Sequence, residues 1–344
     1  MTQPVAAAPL DGRPWSDDPS AGLHEADLGE TAWRKFGVAP SRLRRWERTL
    51  NFIVGLIICI GSVLGGYAAL GGHLEVLFQP YEFVIICGAA LGIFIVATPI
   101  SAIKDTGQAI FEAFFDLAPQ RRDFLDVLSA LHALMRELRS KSRAEVEPHF
   151  DDPASSPVFV GFPRLLANSD LLAFICDYGR LLVIGNAKTH EIEALMDEEL
   201  QTLAFDRYKP VHALQNIADS LPALGIIAAV LGVVHAMESL DSSPQILGGL
   251  IGAAMVGTFS GILLSYAVVL PAALKIRAVR QEQLRLFSLV KQGLLAFMNG
   301  AMPQVAIEFG RKTIPSKLRP TIDTVESETI AGPPPTADAV QQAA

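Results

Sequence analysis

The chain has 344 residues, half of them hydrophobic, and a formal net charge of −8. Its positive mean hydropathy sets it apart from ordinary soluble domains, and the acidic balance argues against generic nucleic-acid binding. The three cysteines, Cys59, Cys87 and Cys176, show no paired or metal-ligand spacing and read as small buried hydrophobes.

Residues 1 to 30 are rich in Pro, Asp, Ala and Gly without periodicity, the composition of a disordered extension. The segment from Ser41 to Arg48 then reads as a short basic helix, with Ser41 as N-cap and Trp46 at headgroup level. Arg44 and Arg45 precede an apolar run long enough to stay in a membrane, and more such runs follow, so the first span is expected to be uncleaved.

A span needs roughly 20 apolar residues. Four stretches reach or approach that: 50–70, 83–103, 217–237 and 246–271. Pro99 interrupts the second, which is expected to kink and continue. Gly61 with Gly65, and Gly88 with Gly92, have the four-residue spacing that lets helix backbones approach in lipid. Charge placement tests the four-span reading. Of 28 Lys and Arg, seven precede residue 50, twelve lie between 104 and 209, and nine follow residue 271. The connections 71–82 and 238–245 carry only Glu75, Glu82, Glu238 and Asp241 as fixed charges. The positive-inside rule therefore puts both termini and the middle segment in the cytoplasm.

The middle segment reads as helical. Phe124, Leu128, Leu131, Met135 and Leu138 form one apolar stripe, surrounded by Arg121, Arg122, Arg136, Arg139, Lys141 and Arg143. A break is expected over 148–163, then a helix over 164–184 stopped at Gly185 and Asn186, then an acidic helical stretch over 190–203. Its charged faces are either a solvated surface or a docking face for a charged partner.

The hairpin 217–271 holds two prolines, Pro222 and Pro271. Neither can donate to the carbonyl four residues back, at Ala218 and Ala267 respectively, and a freed carbonyl in lipid must find another partner. Gly249, Ala253, Gly257, Gly261 and Ser265 make a small-residue stripe, and Thr258 lies beside it. By pattern alone Thr258 is a hydroxyl bonded back to the Ala254 carbonyl. The span centres hold no Asp, Glu, Lys or Arg, with Asp219 and Glu82 placed near span ends. If this chain conducts ions, another polypeptide is expected to supply the titrating carboxylate. No phosphate loop, metal-ligand spacing or nucleophile motif marks an enzyme, and no cofactor is expected. Beyond Pro271 the last span is expected to run on as a cytoplasmic helix, with a disordered tail from Pro315.

The resulting fold class is an all-α integral membrane protein with four transmembrane helices and a large helical cytoplasmic domain between the second and third. Residues 1–48 are the extension and its basic helix, 49–104 the first two spans, and 105–216 the cytoplasmic domain. Residues 217–271 are the hairpin, 272–314 a cytoplasmic helical extension, and 315–344 the tail.

From about Gly55 to Pro320 the sequence resembles the MotA family of flagellar motor stator subunits. The resemblance is carried by Gly65-Gly-Tyr67, Gln79-Pro80, Pro163-Arg164, the segment from Glu191 to Glu199, Asp219-Ser-Leu-Pro-Ala223, Gly232-Val-Val-His-Ala236, Met255-Val-Gly-Thr-Phe259 and Glu308-Phe-Gly-Arg-Lys-Thr313. It implies five such subunits around a dimer of MotB, whose aspartate takes up protons, in a bacterial inner membrane. It implies that proton passage turns the ring against the rotor protein FliG. By the same resemblance Pro222 and Pro271 are the two functional prolines, and Arg139 and Glu147 the charged pair that engages FliG. Thr258 matches a channel-facing threonine, and Ala229 stands where sodium-type stators carry a second one, which favours protons over sodium. The alternatives are an energising subunit of the ExbB and TolQ kind, which would have three spans, and a small-solute transporter, for which no repeat or mid-membrane polar site is seen.

Overall fold

The computed structural model describes residues 40–185, 188–239 and 243–330. Residues 1–39 and 331–344, which include all of the extension 1–30 and the end of the tail expected to be disordered, lie outside the described residues, as do Asn186 and the side chains of Ser41 and Trp46. The chain divides into two units, Met1–Arg48 and Thr49–Ala344, and of the first only the opening turns of a helix are described.

Among the described residues the secondary structure is helical throughout. Helix α1 spans Pro40–Ala69, α2 Pro80–Ala97, α3 Ile100–Phe114, α4 Arg121–Ser140, α5 Ser169–Ile184, α6 Thr189–Met237, α7 Pro244–Leu263, α8 Leu270–Met298 and α9 Pro303–Thr313. Single helical turns fill the gap between α4 and α5. Four helical segments are long and apolar enough to cross a membrane: Phe52–Ala69, Leu74–Ala97, and stretches within Thr189–Met237 and Pro244–Met298.

Local chemistry sets the breaks. Pro99 does not kink a continuing span but ends it. Thr98, the residue before it, is extended at φ −121° and ψ 125°, the conformation a following proline imposes, and α3 starts afresh at Ile100. Helix α4 opens on a capping box in which the Gln120 N–H donates to the Asp123 carboxylate at 2.7 Å. Helix α5 opens with the Leu171 N–H donating to Asn168, and stops where Gly185 takes the left-handed conformation at φ 75°.

Helix α6 is the longest element among the described residues. It runs 49 residues through Pro210 and Pro222 without interruption, a length of about 70 Å at about 1.5 Å per residue. The expected boundary between cytoplasmic domain and third span, at residues 216 and 217, thus falls inside one continuous helix.

Three apolar cores lie along it. In the span region Ile86 and Ala90 of α2 meet Leu221, Leu224 and Ala228 of α6. Next, Ala109 and Ala113 of α3 pack with Val211 and Leu214 of α6 and Ala273 and Ile276 of α8. The third and largest joins α4, α5, α8, α9 and the start of α6, with Phe124, Leu128, Leu131 and Met135 of the expected stripe fully buried beside Phe174 and Phe287. Between the last two cores Arg280 of α8, nearly enclosed, reaches Asp105 at 2.9 Å and Glu112 at 3.0 Å on α3.

Residues 315–330 are ordered, against the expectation of a tail disordered from Pro315. Arg311, held by Glu308, donates to the Pro320 carbonyl at 2.7 Å, and Arg122 meets Glu328 at 2.9 Å. These contacts lay the turns Ile322–Val325 and Glu326–Ile330 across α4, with Val325 and Thr329 buried. The glycines of the first two spans are open within this chain's described part. A Cβ at Gly61, Gly65, Gly88 or Gly92 would meet nothing among the described residues. Cys59 and Cys87 are exposed there too, and only Cys176 is buried.

Candidate functional site

The hairpin forms from α6 and α7, and its contact surface is made by absent side chains. A Cβ at Gly225 would lie 2.8 Å from the Gly257 carbonyl, and one at Gly261 would lie 2.6 Å from the Leu221 carbonyl. The two backbones therefore touch, as small residues in lipid allow. Only the inner half of the five-residue stripe does this. Gly257, Gly261 and Ser265 are buried, whereas Gly249 faces open space.

Pro222 sits half-buried inside α6, and the carbonyl it leaves without an N–H belongs to Ala218. That carbonyl is taken by the buried hydroxyl of Ser265, which donates to it at 2.6 Å. Ser265 lies in a π-turn, Leu264–Val269, in which the Leu270 N–H reaches back five residues to the Ser265 carbonyl. Pro271 stands directly after this turn, in the first turn of α8. The wider turn re-registers the helix where proline removes a donor. One serine thus bridges the gap made by Pro222 to the irregular turn ahead of Pro271. The sequence reading had placed Ser265 only in the packing stripe. A hydroxyl at the end of such a stripe, opposite a proline-freed carbonyl, was the signal for it.

Ala229 and Thr258 are both half-buried on the facing helices α6 and α7. The Ala229 amide nitrogen lies 3.2 Å from where a Cβ of Gly257, the residue before Thr258, would stand. The same point is 2.7 Å from Oε2 of Glu82. Glu82 had been assigned to the connection outside the second span. It lies instead in the first turn of α2, buried, with its carboxyl wedged between α6 and α7.

Arg139 and Glu147 lie where α4 closes and the single turns begin, and both are exposed. The neighbouring cations are engaged. Lys141 pairs with Glu137, and Arg143 donates to the Ile184 carbonyl at 3.1 Å with its guanidinium against Gly185. Arg139 has no such intramolecular partner among the described residues. His149, just beyond Glu147, is buried against Ser156 at 3.0 Å, and burial lowers the pKa of its imidazole.

Residues 53–142 match the family model "Motility protein A N-terminal", and residues 169–288 match "MotA/TolQ/ExbB proton channel family". Motility protein A of Salmonella typhimurium is 44% identical over 279 residues, covering 81% of this chain and 95% of that protein. Motility protein A of Escherichia coli is 43% identical with the same coverage. Chemotaxis protein LafT of Vibrio parahaemolyticus is 30% identical over 79% of this chain and 96% of its own. The solved structure of Campylobacter jejuni MotAB superposes with a TM-score of 0.61 at 17% identity, covering 78% of this chain and 96% of the other. The flagellar MotAB stator complex of Bacillus subtilis gives 0.51 at 21% identity.

Proposed function

The chain belongs to the MotA/TolQ/ExbB proton channel family, and from that premise we propose that it is a flagellar motor stator subunit that converts ion flow into torque. The observation that carries this reading is the hydrogen bond from Ser265 to the Ala218 carbonyl. It ties together the two prolines of the hairpin on helices that run on, unbroken, into the cytoplasmic stack. A change of shape at the hairpin is thereby transmitted to α4 and the turns that follow it. The match to the Motility protein A N-terminal model over residues 53–142 favours a stator over an energiser of the ExbB and TolQ kind.

In this reading the chain is a multi-pass protein of the bacterial inner membrane with both termini in the cytoplasm. Its partner is MotB, as in the MotAB complexes it superposes on. The span of α1 holds no fully buried residue, and its exposed face supports contact with lipid and with further copies of the chain. Five copies around a MotB dimer satisfy that surface. Proton is the coupling ion, since Ala229 offers no hydroxyl to replace the hydration shell of sodium. Ala229 and Thr258 line the path, Pro222 and Pro271 couple it to movement, and Arg139 with Glu147 engages FliG. The free guanidinium of Arg139, beside the occupied Lys141 and Arg143, favours it as the rotor-facing cation. Deletion of the chain tests the reading. Cells should build flagella that do not rotate and recover rotation when the full chain returns, whereas swimming by the deletion strain would refute it.

A further inference from the structure

We propose that Glu82 is a proton-binding station that this chain itself contributes to the outer part of the path. The inference rests on the stator reading and extends it, because the path then holds a carboxyl besides that of the partner.

Three observations point the same way. First, Glu82 is more than nine-tenths buried, and its Oε2 is shut from solvent with no hydrogen-bond partner among the described residues. A carboxylate enclosed by apolar helices without a cation or donor is costly, and it persists in membranes where it takes up and releases an ion. Second, the surroundings are shaped to receive it. A Cβ at Gly257 would lie 2.7 Å from Oε2 and a Cβ at Gly232 would lie 3.2 Å from Oε1, so both helices of the hairpin withhold a side chain where the carboxyl sits. Third, the place is the path. Gly257 adjoins Thr258, and the Ala229 nitrogen borders the same point. Gly232 is five residues from the end of α6, roughly 8 Å of helix, which sets the carboxyl toward the outer mouth.

The elements around Glu82 bring no fixed counter-charge to it. Helix α7 has no ionisable residue. Helix α6 offers His235, paired with Glu238 at 3.6 Å and exposed, and Asp219 many turns away. The connection before α2 offers His73 and Glu75, and α2 itself Tyr81, all exposed. Among the described residues none of these reaches the carboxyl. The carboxyl therefore accepts a proton arriving from outside and hands it inward, returning to its starting state each cycle with no other bond made or broken.

The test uses the full chain with its MotB partner in sodium-free vesicles, following proton flux with a pH-sensitive dye. Glu82→Gln keeps the shape and cannot titrate. At equal abundance of both subunits its flux should fall by an order of magnitude, while Glu82→Asp keeps most of it. Wild-type flux in Glu82→Gln would overturn the proposal and leave the stator reading standing. No flux from the wild-type complex would overturn both. Should Glu82→Gln fail to assemble, the unmodified complex decides. A hydrophobic carbodiimide, which attacks protonated carboxyls in apolar settings, should modify Glu82 and block flux in parallel. Unmodified Glu82 under conditions that support flux would overturn the proposal.

Discussion

The hydroxyl of Ser265 donates to the carbonyl of Ala218 at 2.6 Å, across two helices and 47 positions of sequence. The acceptor of this bond exists because of a proline, and the donor lies just ahead of another. Pro222 frees the carbonyl, and the π-turn that ends next to Pro271 contains the hydroxyl. A regular helix offers no such free carbonyl, since its carbonyls are taken by its own N–H groups. The bond thus joins the carbonyl that Pro222 leaves free to the irregular turn ahead of Pro271.

Reversing charge at the exposed end of α4 should separate assembly from work. Arg139→Glu and Glu147→Lys touch no intramolecular partner and should leave abundance and membrane insertion at wild-type levels. Swimming should be lost, with partial recovery when FliG carries the opposite charge. Soft-agar motility together with immunoblots reads this, and normal swimming in both variants would remove these residues from the rotor contact.

Thr258→Ala removes one hydroxyl from a half-buried position beside the Gly257 contact. Rotation of tethered cells should slow by a larger factor than subunit abundance falls. An equal loss of both would make Thr258 a packing residue.

The Arg280 lock is a stability element. Its guanidinium is nearly enclosed between Asp105 and Glu112, and removing one partner of such a buried group costs about 3–5 kcal/mol. Arg280→Ala should therefore melt well below wild type in detergent at a fixed scan rate, while a change on the exposed Lys312 should not. Coincident melting curves for Arg280→Ala and wild type would show that the lock contributes little.

Acid should weaken the cytoplasmic stack. Burial holds both His132 and His149 below the ordinary imidazole pKa, which is about 6.5. The unfolded chain therefore binds protons before the folded one does. Stability from these groups is level above the ordinary value and declines as pH falls from there toward the lower folded values. Denaturant midpoints in detergent should show that decline, and His149→Gln should make it shallower. A midpoint independent of pH over that window would contradict the sign.

Much of this architecture was legible in the sequence because membranes and helices impose long-range periodic rules. The stripe from Phe124 to Leu138 read as buried, and it is buried except for Leu138, which is partly so. Gly185 read as a stop and adopts the left-handed conformation that stops a helix. What escaped were relations across elements. Glu82 looked like a loop charge because hydropathy counts it against a span, yet Pro80 starts the helix two residues earlier and turns it inward. Pro99 looked like a kink because pattern does not show whether neighbours exist to supply the lost bonds. The segment after Pro315 looked disordered by composition, but Arg311 and Arg122 fasten it from elsewhere in the chain. Ser265 had the right type and place, and only its distance to Ala218 showed its partner.

The central claim is that the hairpin's two prolines work as one device through Ser265, and the ratio of torque to proton flux measures it. Ser265→Ala leaves the Ala218 carbonyl buried without a donor, a cost of about 1–3 kcal/mol that the packed hairpin should survive. Stall torque of single motors and proton flux in vesicles should both be measured for this variant at matched abundance. The account predicts that torque falls several-fold more than flux, because ions still pass while the connection to α8 is slack. Torque and flux both at wild-type values would contradict it.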